Sequence, residues 1–325
     1  MDYRMLGRTG LRVSVAGLGC GGFSQLGLSA GKGEAHAVSI IQQAIDLGVN
    51  FFDTAAAYGT ETVLGKAVRS VRREDVIIAT KAPFAVSSGR AAPETIVASL
   101  DNSLRELATD YVDIYQLHGV SPAAYDHAHD VLAPVLLREK EKGKFRHLGI
   151  SETAPHDPRH EMIRRAVGDG LWEVVMVGFH MMHQNARDAV FPLTQARGIG
   201  TLLMFVVRNI FSQPERLQGT MRELAAKGLV PEEIAASPYP LGFLVHPGGA
   251  SSVPDAAYRF VRHEPGVDVV LFGTGDPEHL RTNIASILKP PLPAADRQRL
   301  AELFGHLVGV GLDAPHLSQP RPAAG

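Results

Sequence analysis

The chain has 325 residues, of which 45% are hydrophobic and 20% are charged, and its formal net charge is −2 at pH 7. This balance is typical of a globular protein with a large core, and the lack of a long basic stretch excludes nucleic acid as an expected partner. A single cysteine, Cys20, excludes an internal disulfide and is typical of a reducing compartment. The amino terminus is too polar for a signal peptide, and no apolar run approaches the roughly 18 residues of a membrane span. We therefore expect a cytoplasmic protein.

Eight short apolar runs rich in β-branched residues predict eight strands that alternate with helical segments. The predicted strands are Val15–Gly19, Val49–Asp53, Val76–Thr80, Val112–Leu117, His147–Ile150, Val174–Gly178, Thr201–Phe205 and Asp268–Phe272. This alternation predicts an α/β protein with a (β/α)8 TIM barrel, and an open doubly wound sheet is the competing arrangement.

Amphipathic segments with a helical period of about 3.6 residues fill most of the connections. The predicted helices are Glu34–Leu47, Glu61–Val71, Pro93–Leu107, Val131–Lys142, Pro158–Val167, Ala186–Arg197 and a helix from Asp276 through Ile287. The last of these has an acidic N-cap followed by a proline, which is a strong helix start. Gly198 follows the helix before it and predicts a C-terminal cap.

The amino-terminal segment lies outside this repeat. Tyr3–Leu6 and Leu11–Ser14 are separated by Gly7–Gly10, a pattern that predicts an N-terminal β-hairpin closing the bottom of the barrel. We expect residues 1–312 to form a single barrel domain and residues 313–325 to form a loose tail.

The connection between strands 7 and 8 is a second exception. It runs from Val206 to Gly266 and is too long for one crossover helix. Helical patterns over Glu215–Lys227 and Pro254–His263 predict an insertion with its own helices. Long insertions of this kind usually shape the site of a barrel.

A glycine pattern, Gly17-x-Gly19-x-x-Gly22, follows the first predicted strand and matches the dinucleotide-binding fingerprint of a Rossmann fold. That fingerprint needs a helix opening at the third glycine, whereas Phe23–Gly33 is rich in Gly and Ser and has no helical period. The pattern therefore favours a tight turn where small residues let a ligand approach the backbone. We expect Cys20, Gly21 and Gly22 to contact that ligand.

Four side chains suited to proton transfer occur at the ends of three successive strands. Asp53 ends the second strand and Tyr58 follows it in the next loop, while Lys81 and His118 end the third and fourth strands. Because barrel active sites lie at the C-terminal ends of the strands, we expect these four groups to converge. A nearby lysine favours the phenolate, an aspartate keeps that lysine charged, and a histidine polarises a carbonyl. No side chain supplies a hydride, so such chemistry implies a cofactor.

Other interpretations of the same residues stay open. Lys81 after an apolar strand also fits a Schiff-base lyase, and Asp53 with Lys81 also fits a structural ion pair. His127-x-His129 and His180-x-x-His183 invite a metal hypothesis, but neither has cysteine partners or a helical H-E-x-x-H frame. We therefore predict no metal site.

Longer motifs surround the four residues. They are Tyr3-Arg-x-Leu-Gly-Arg-Thr-Gly-Leu-x-Val-Ser14, Phe52-Asp-Thr-Ala-Ala-Ala-Tyr-Gly59, Glu61-x-x-Leu-Gly65, Asp75-Val-Ile-Ile-Ala-Thr-Lys81 and Tyr111-Val-Asp-Ile-Tyr-Gln-Leu-His118. With these motifs the chain resembles the aldo-keto reductase superfamily, in its bacterial branches. The resemblance implies NAD(P)H-dependent reduction of a small aldehyde or ketone, or the reverse alcohol oxidation. It also implies a tetrad of Asp53, Tyr58, Lys81 and His118, with Tyr58 as general acid.

The cofactor half of the pattern departs from that family. Ser151-Glu152 stands where the family usually has Ser-Asn to hold the nicotinamide carboxamide. A glutamate accepts from the amide NH₂ but cannot donate to its carbonyl. Met176 replaces a family glutamine, and Met204 replaces the tyrosine that stacks on the nicotinamide ring, although methionine still packs on a ring face.

The loop after the last strand predicts an anion site. Gly273-Thr-Gly-Asp-Pro-Glu278 sets backbone N–H groups at a helix N-terminus. Many NADP-specific members have a basic residue where this chain has Gly273, so His279, Arg281 or Arg208 would have to compensate. We favour NADP, with NAD as the alternative. The expected cofactor-binding residues are Cys20, Gly21, Gly22, Asp53, Ser151, Glu152, Met204, Arg208, Gly273, Thr274, His279 and Asn283.

A second function class remains beside the reductase. The three departures at Glu152, Met176 and Met204 fit a non-catalytic barrel that binds a nicotinamide cofactor and acts as a sensor or a partner subunit. The two hypotheses differ in whether Tyr58 transfers a proton.

Overall fold

Eight parallel strands close into a barrel in the computed structural model, which describes residues 1–86 and 89–313. The barrel strands are β3 (Ala16–Gly19), β4 (Phe51–Asp53), β5 (Ile77–Pro83), β8 (Val112–Val120), β9 (Phe145–Glu152), β10 (Val174–Gly178), β11 (Gly200–Met204) and β12 (Val269–Phe272). They follow one another around the barrel in chain order, and β12 pairs with β3 to close it. The predicted (β/α)8 barrel is therefore confirmed, and both the open sheet and the Rossmann arrangement are excluded.

Two short antiparallel hairpins lie outside the barrel. The first joins β1 (Tyr3–Met5) to β2 (Arg12–Ser14), as predicted. The second joins β6 (Ala85–Val86) to β7 (Gly89–Arg90).

The barrel interior explains why the first hairpin sits at its bottom. Inward-facing apolar side chains such as Phe51 and Ile114 form one buried cluster, and Leu6 and Val13 of the hairpin segment belong to it. A Cβ on Gly200, at the start of β11, would lie 2.6 Å from Leu6 Cγ. The glycine therefore makes room for Leu6, and burial of these apolar groups stabilises the hairpin against the strand ends.

Helices surround the barrel, and most of them match the predicted segments. They are α1 (Glu34–Asp46), α2 (Glu61–Val68), α3 (Pro93–Leu107), α4 (Ala133–Glu141), α5 (Glu161–Asp169), α6 (Ala186–Ala189), α7 (Phe191–Arg197), α8 (Asn209–Ser212), α9 (Pro214–Ala226), α10 (Glu232–Ala236), α11 (Val253–Arg262), α12 (Pro277–Leu288) and α13 (Ala294–Phe304). The long insertion between β11 and β12 contains α8 to α11, of which α9 and α11 match its predicted helices and α8 and α10 were not predicted. No helix in the described part of the chain is long and apolar enough to cross a bilayer.

One predicted helix is divided in two in the structure. The segment Ala186–Arg197 forms α6 and α7 rather than one helix, with a break at Val190, where φ is −123° and ψ is −55°. Pro192 has no N–H to continue the hydrogen-bond ladder, so the helix restarts there and then ends at Gly198 in the left-handed conformation.

Helix α13 has no counterpart among the predicted segments. Its side chains Leu300 and Phe304 are fully buried, and Gln184 donates to the Leu300 carbonyl at 3.0 Å. A cluster of prolines before Ala294 obscures the start of its helical period.

The first residue of the predicted tail, Asp313, is part of the described structure and contacts the barrel domain. Asp313 accepts a hydrogen bond from Arg208 through its carbonyl oxygen. Residues 314–325 lie outside the described residues, so the division into a 1–312 domain and a loose tail stays a prediction.

The packing of α2 against the end of α3 generates a test. A Cβ on Gly65 would lie 2.5 Å from the Leu107 carbonyl oxygen, which is backbone and cannot rotate away. We expect Gly65→Ala to reduce the free energy of unfolding by about 1–3 kcal/mol. The matched control is Gly219→Ala in α9, where a Cβ meets nothing within 4 Å and should stabilise by about 0.5–1 kcal/mol. Urea unfolding followed by circular dichroism measures both, and equal effects would contradict the packing argument.

Candidate active site

The barrel brings the four predicted side chains together at its C-terminal face. Lys81 Nζ donates to Asp53 Oδ2 at 2.7 Å and to the Thr54 carbonyl at 2.8 Å, and the lysine is completely buried. Tyr58 Oη lies 3.3 Å from His118 Nε2. Lys81 Nζ is 5.1 Å from the centre of the Tyr58 ring. The phenol therefore has a cation on one side and an imidazole on the other.

Strand register accounts for this convergence. Asp53 pairs with Ala79 on the neighbouring strand, and Lys81 pairs with Gln116, so the acidic and basic groups lie at nearly one level. His118 lies within β8 rather than after it, just before a register shift. These positions depend on barrel closure, because residues distant in sequence become neighbours only across paired strands.

The Tyr58 ring packs against Gly21, one of the glycines predicted to contact a ligand. A Cβ on Gly21 would lie 2.4 Å from Tyr58 Cδ2, so any larger residue would displace the ring. Gly21 also lines the cleft in front of Tyr58. The glycine pattern predicts that a ligand approaches the backbone here. At Gly21 the group that approaches most closely is the Tyr58 ring.

Burial and charge oppose each other at Tyr58. Burial raises the pKa of Tyr58 above its ordinary value of 10, and it outweighs the Lys81 cation, which lowers the pKa. The lysine acts in the predicted direction, but its contribution is the smaller one. Tyr58 is therefore protonated at neutral pH.

Lys81 is held as a cation. Burial alone would lower its pKa, but the Asp53 carboxylate and the Tyr58 hydroxyl raise it above the ordinary value. A charged amine has no lone pair for imine formation, and this one is inaccessible to solvent. The geometry therefore argues against the Schiff-base interpretation.

A cleft of about 1270 Å³ opens in front of these groups. Its lining includes Asp53, Tyr58 and His118 together with residues from the segments 19–24, 151–156, 204–217, 238–258 and 271–283. The insertion between β11 and β12 forms one wall, and much of that wall is apolar, as at Phe211 and Leu241. The cleft extends from the tetrad to the start of α12.

Most of the residues predicted to bind a cofactor line this cleft. They are Gly21, Gly22, Asp53, Ser151, Glu152, Met204, Arg208, Gly273, Thr274, His279 and Asn283. Cys20 is not among them, because its side chain is fully buried in the core outside the strands. Burial also raises the pKa of its thiol, so Cys20 is a packing residue here.

Glu152 reaches the cleft only with its backbone. Its side chain has no exposed surface, and its carboxylate accepts from Gly178 N–H at 2.8 Å and contacts His160 Nδ1 at 2.9 Å. The neighbouring Ser151 hydroxyl accepts from Gly119 N–H at 2.8 Å. The predicted contact between the Glu152 carboxylate and a carboxamide is therefore not available in this structure.

Arg208 bridges the two sides of the cleft. Its guanidinium carbon lies 4.0 Å from the Phe205 ring centre and 5.1 Å from the Phe23 ring centre. Phe205 has a φ of +68°, a conformation that is costly for a bulky residue and often marks a functional site. Burial lowers the pKa of Arg208 to about 10, so it remains a cation. No sequence motif indicates either aromatic partner, since Phe23 lies in an aperiodic segment and Phe205 reads as part of an apolar strand.

The start of α12 differs from the predicted open anion site. The Asp276 carboxylate accepts from the N–H groups of Glu278 and His279 at 2.8 and 3.0 Å. This N-cap satisfies two of the donors that the pattern left free for a ligand. Arg281 pairs with Glu278 at the surface. The N–H groups of Glu278 and His279 are therefore occupied, and the anion site stays a prediction for the preceding loop, residues 273–275.

The fourteen histidines do not assemble a metal centre in the part of the chain that the structure describes. No group of three or more His, Cys, Asp or Glu side chains there is placed to hold an ion. His180 and His183 approach each other, with ring centres 5.9 Å apart, and burial lowers their pKa values to about 3 and about 2.

Comparisons with known proteins agree with this geometry. The model of the Aldo/keto reductase family matches residues 17–304. The chain is 32% identical over 209 residues to L-galactose dehydrogenase of Arabidopsis thaliana, a match covering 62% of this chain and 64% of that protein. It is 27% identical over 296 residues to Aldo-keto reductase YhdN of Bacillus subtilis, covering 86% and 87%. The match thus spans less than two thirds of the plant enzyme but most of the bacterial one.

A solved structure has the same fold. The holo form of aldo-keto reductase AKR11C1 from Bacillus halodurans superposes with a TM-score of 0.71 at 24% identity, covering 94% of this chain and 96% of that one. At this level of identity the likeness shows the shared barrel.

The buried ion pair generates a test of stability. Lys81→Met would leave the Asp53 carboxylate buried without its counter-ion, and we expect a loss of about 3–5 kcal/mol in the free energy of unfolding. The double variant Lys81→Met/Asp53→Asn removes both charges and should recover part of that loss. Urea unfolding of the three proteins measures the difference. A double variant no more stable than Lys81→Met would contradict the ion-pair assignment.

Proposed function

The chain belongs to the aldo/keto reductase family and is an oxidoreductase, and we propose that it reduces an aldehyde or a ketone with Tyr58 as the general acid. One observation supports this above all others. The Tyr58 hydroxyl lies 3.3 Å from His118 Nε2 at the floor of the cleft, and the buried Lys81–Asp53 pair lies behind its ring. A non-catalytic sensor would have no use for a protonated phenol placed between a cation and an imidazole.

The proton follows from these contacts. Because burial keeps Tyr58 protonated, its hydroxyl can donate to a carbonyl oxygen in the cleft. As the carbonyl carbon accepts a hydride, the oxygen takes the phenolic proton and the product is an alcohol. The Lys81 cation stabilises the phenolate left behind, and Asp53 keeps that cation in place. His118 shares the hydrogen bond with Tyr58 and orients the carbonyl oxygen.

The cleft fits a nicotinamide dinucleotide in size and in charge. Its volume of about 1270 Å³ exceeds the roughly 300–1,000 Å³ of ordinary ligand pockets, so it has room for cofactor and substrate together. When bound, a reduced nicotinamide supplies the hydride that no side chain can provide. The residues that would hold the cofactor are Gly21, Gly22, Ser151, Met204, Arg208, Gly273, Thr274, His279 and Asn283.

We favour NADP over NAD as this cofactor. The loop after β12 lacks the basic residue at Gly273, but Lys32 Nζ and His36 Nε2 contact the Gly275 carbonyl at 3.2 and 2.7 Å. The Lys32 ammonium brings a positive charge to the loop from another part of the chain. Arg208 adds a second cation within the cleft.

The apolar wall supports a substrate class. Ile210, Phe211, Leu217 and Leu241 line the cleft on the side of the insertion. A carbonyl compound with an alkyl or aryl substituent would bury apolar surface there. A sugar, which the name of the plant relative indicates as its substrate, has little apolar surface to bury against these four side chains.

Removal of the phenol tests the proposed acid. We expect Tyr58→Phe to lower kcat by about 10²–10⁴-fold, because the general acid is lost while the ring remains. The matched control is Tyr111→Phe, a tyrosine whose hydroxyl accepts one surface hydrogen bond from Arg146 and which should retain activity. Oxidation of NADPH and NADH is followed with alkyl aldehydes, aryl aldehydes and an aldose. Turnover of any carbonyl that is unaffected by Tyr58→Phe would contradict the proposal.

The pH dependence gives an independent check. A general acid works in its protonated form, and burial raises the Tyr58 pKa above its ordinary value of 10. The reductive kcat/KM should therefore decline only above pH 10 on its alkaline side, with folding monitored by circular dichroism. The measurement is the pH profile of kcat/KM at saturating cofactor. A decline well below pH 10 in the folded enzyme would show that another group, or a lowered Tyr58 pKa, controls the step.

A further inference from the structure

A buried charged pair lies beside the cleft and is not used by the proton-transfer mechanism. The side chains of Glu152 and His160 are both completely buried. His160 Nδ1 lies 3.1 and 2.9 Å from the two carboxylate oxygens of Glu152. On the other edge of the ring, His160 Nε2 lies 3.1 Å from Asn185 Oδ1.

The protonation state of His160 follows from these partners. Asn185 Nδ2 donates to the Pro158 carbonyl at 2.7 Å, so the amide must present its oxygen to His160. The Glu152 carboxylate on the opposite side is also an acceptor. Both ring nitrogens therefore carry protons, and the ring is an imidazolium. Burial alone would lower the pKa of His160, but the Glu152 carboxylate raises it above the ordinary value.

Other groups that face the ring do not change this conclusion. His183 lies with its ring centre 5.2 Å away, and burial holds its pKa at about 2, so it is neutral. Asp157 from the same loop adds a further negative charge that favours the imidazolium.

The pair connects the segments that form one wall of the cleft. Glu152 ends β9 and accepts from Gly178 N–H, which ends β10. His160 caps α5 with a φ of +57°, a left-handed conformation that a histidine adopts only when its surroundings hold it there. The residue before Glu152 on β9, Ser151, is the register partner of Met176 on β10, and both residues line the cleft. The spacing of that wall therefore depends on the pair.

We propose that Glu152 and His160 form a positioning pair for the cofactor site, and that the Glu152 side chain serves His160 instead of the nicotinamide carboxamide. This inference rests on the proposed function, since it assumes that a nicotinamide cofactor occupies the cleft. The carboxylate has no exposed surface through which a ligand could reach it. Met176 and Met204, which both line the cleft, would then hold the ring through apolar contact, and the carboxamide would contribute little to binding.

Binding of a cofactor analogue separates this role from a direct contact. NADP⁺ and its 3-acetylpyridine analogue, which lacks the carboxamide NH₂, are each used to displace fluorescent NADPH. We expect the wild-type Kd values for the two to agree within about threefold, since a missing hydrogen bond of about 1.4 kcal/mol would change Kd tenfold. Wild-type preference for NADP⁺ by more than tenfold would show that the protein binds the carboxamide NH₂ through a hydrogen bond and would overturn the proposal.

Variants of the pair test its positioning role. Glu152→Gln and His160→Asn should weaken both nucleotides by a similar factor of about tenfold, and asparagine tolerates the left-handed backbone at position 160. If a single variant folds poorly because a charge is left buried, Glu152→Gln/His160→Asn removes both charges and keeps a residue that tolerates the left-handed backbone at position 160. The matched control is Glu173→Gln, which alters a second Glu–His contact, to His147, at the opposite end of the barrel. Unchanged Kd values in folded variants of the pair would overturn the positioning role.

A spectroscopic measurement needs no cofactor. Nitrogen-15 NMR of the free protein at pH 8 should show both ring nitrogens of His160 protonated, with the signal assigned by its loss in His160→Asn. A neutral tautomer would overturn the charged pair. Failure of the protein to bind NADPH or NADH at all would contradict the proposed function, while the NMR result would still decide whether the pair exists.

Discussion

An ammonium group sealed away from water is the constraint on which the active face depends. Lys81 has no exposed surface, and it is stabilised by Asp53 Oδ2 at 2.7 Å and the Thr54 carbonyl at 2.8 Å. Because a buried charge needs close partners, β4 and β5 must meet in one register at this level. The same lysine lies beneath the Tyr58 ring, so the ion pair that stabilises the barrel mouth also lowers the cost of forming a phenolate there.

The half of the cleft that would hold the cofactor differs in character from the half that contains Tyr58 and Lys81. Its wall is largely apolar, its cation Arg208 is stacked between two aromatic rings, and its one carboxylate, Glu152, is withdrawn into the barrel wall by His160. In the proposed reaction, proton transfer relies on close polar contacts, whereas cofactor binding would rely on shape and on charge at the edge of the cleft. The two halves meet at Ser151, which precedes Glu152, and at Met176, which is the register partner of Ser151.

Several sequence interpretations changed for reasons that local patterns do not contain. Gly21 lines the cleft, and its missing Cβ also makes room for Tyr58, which follows far along the chain. The loop before α12 has the composition of an anion site, but Asp276 already accepts from the N–H groups of Glu278 and His279. Cys20 follows the same strand as Gly21, but its side chain packs in the core outside the strands. Helix α13 was missed, because burial of Leu300 and Phe304 stabilises it despite the prolines before it.

Local sequence patterns are enough to predict the barrel, the hairpin at its base, the insertion between β11 and β12, and the convergence of Asp53, Tyr58, Lys81 and His118. Periodicity and strand-end chemistry are local properties, and a parallel barrel always gathers its strand ends on one face. The charge of those residues, and the choice of side chains that line the cleft, depend instead on contacts across the fold. The pKa of Tyr58 depends on burial, and the direction of the Glu152 side chain depends on His160, Gly178 and Asn185, which lie on other segments. Such contacts form between residues distant in sequence, so no pattern in one segment encodes them.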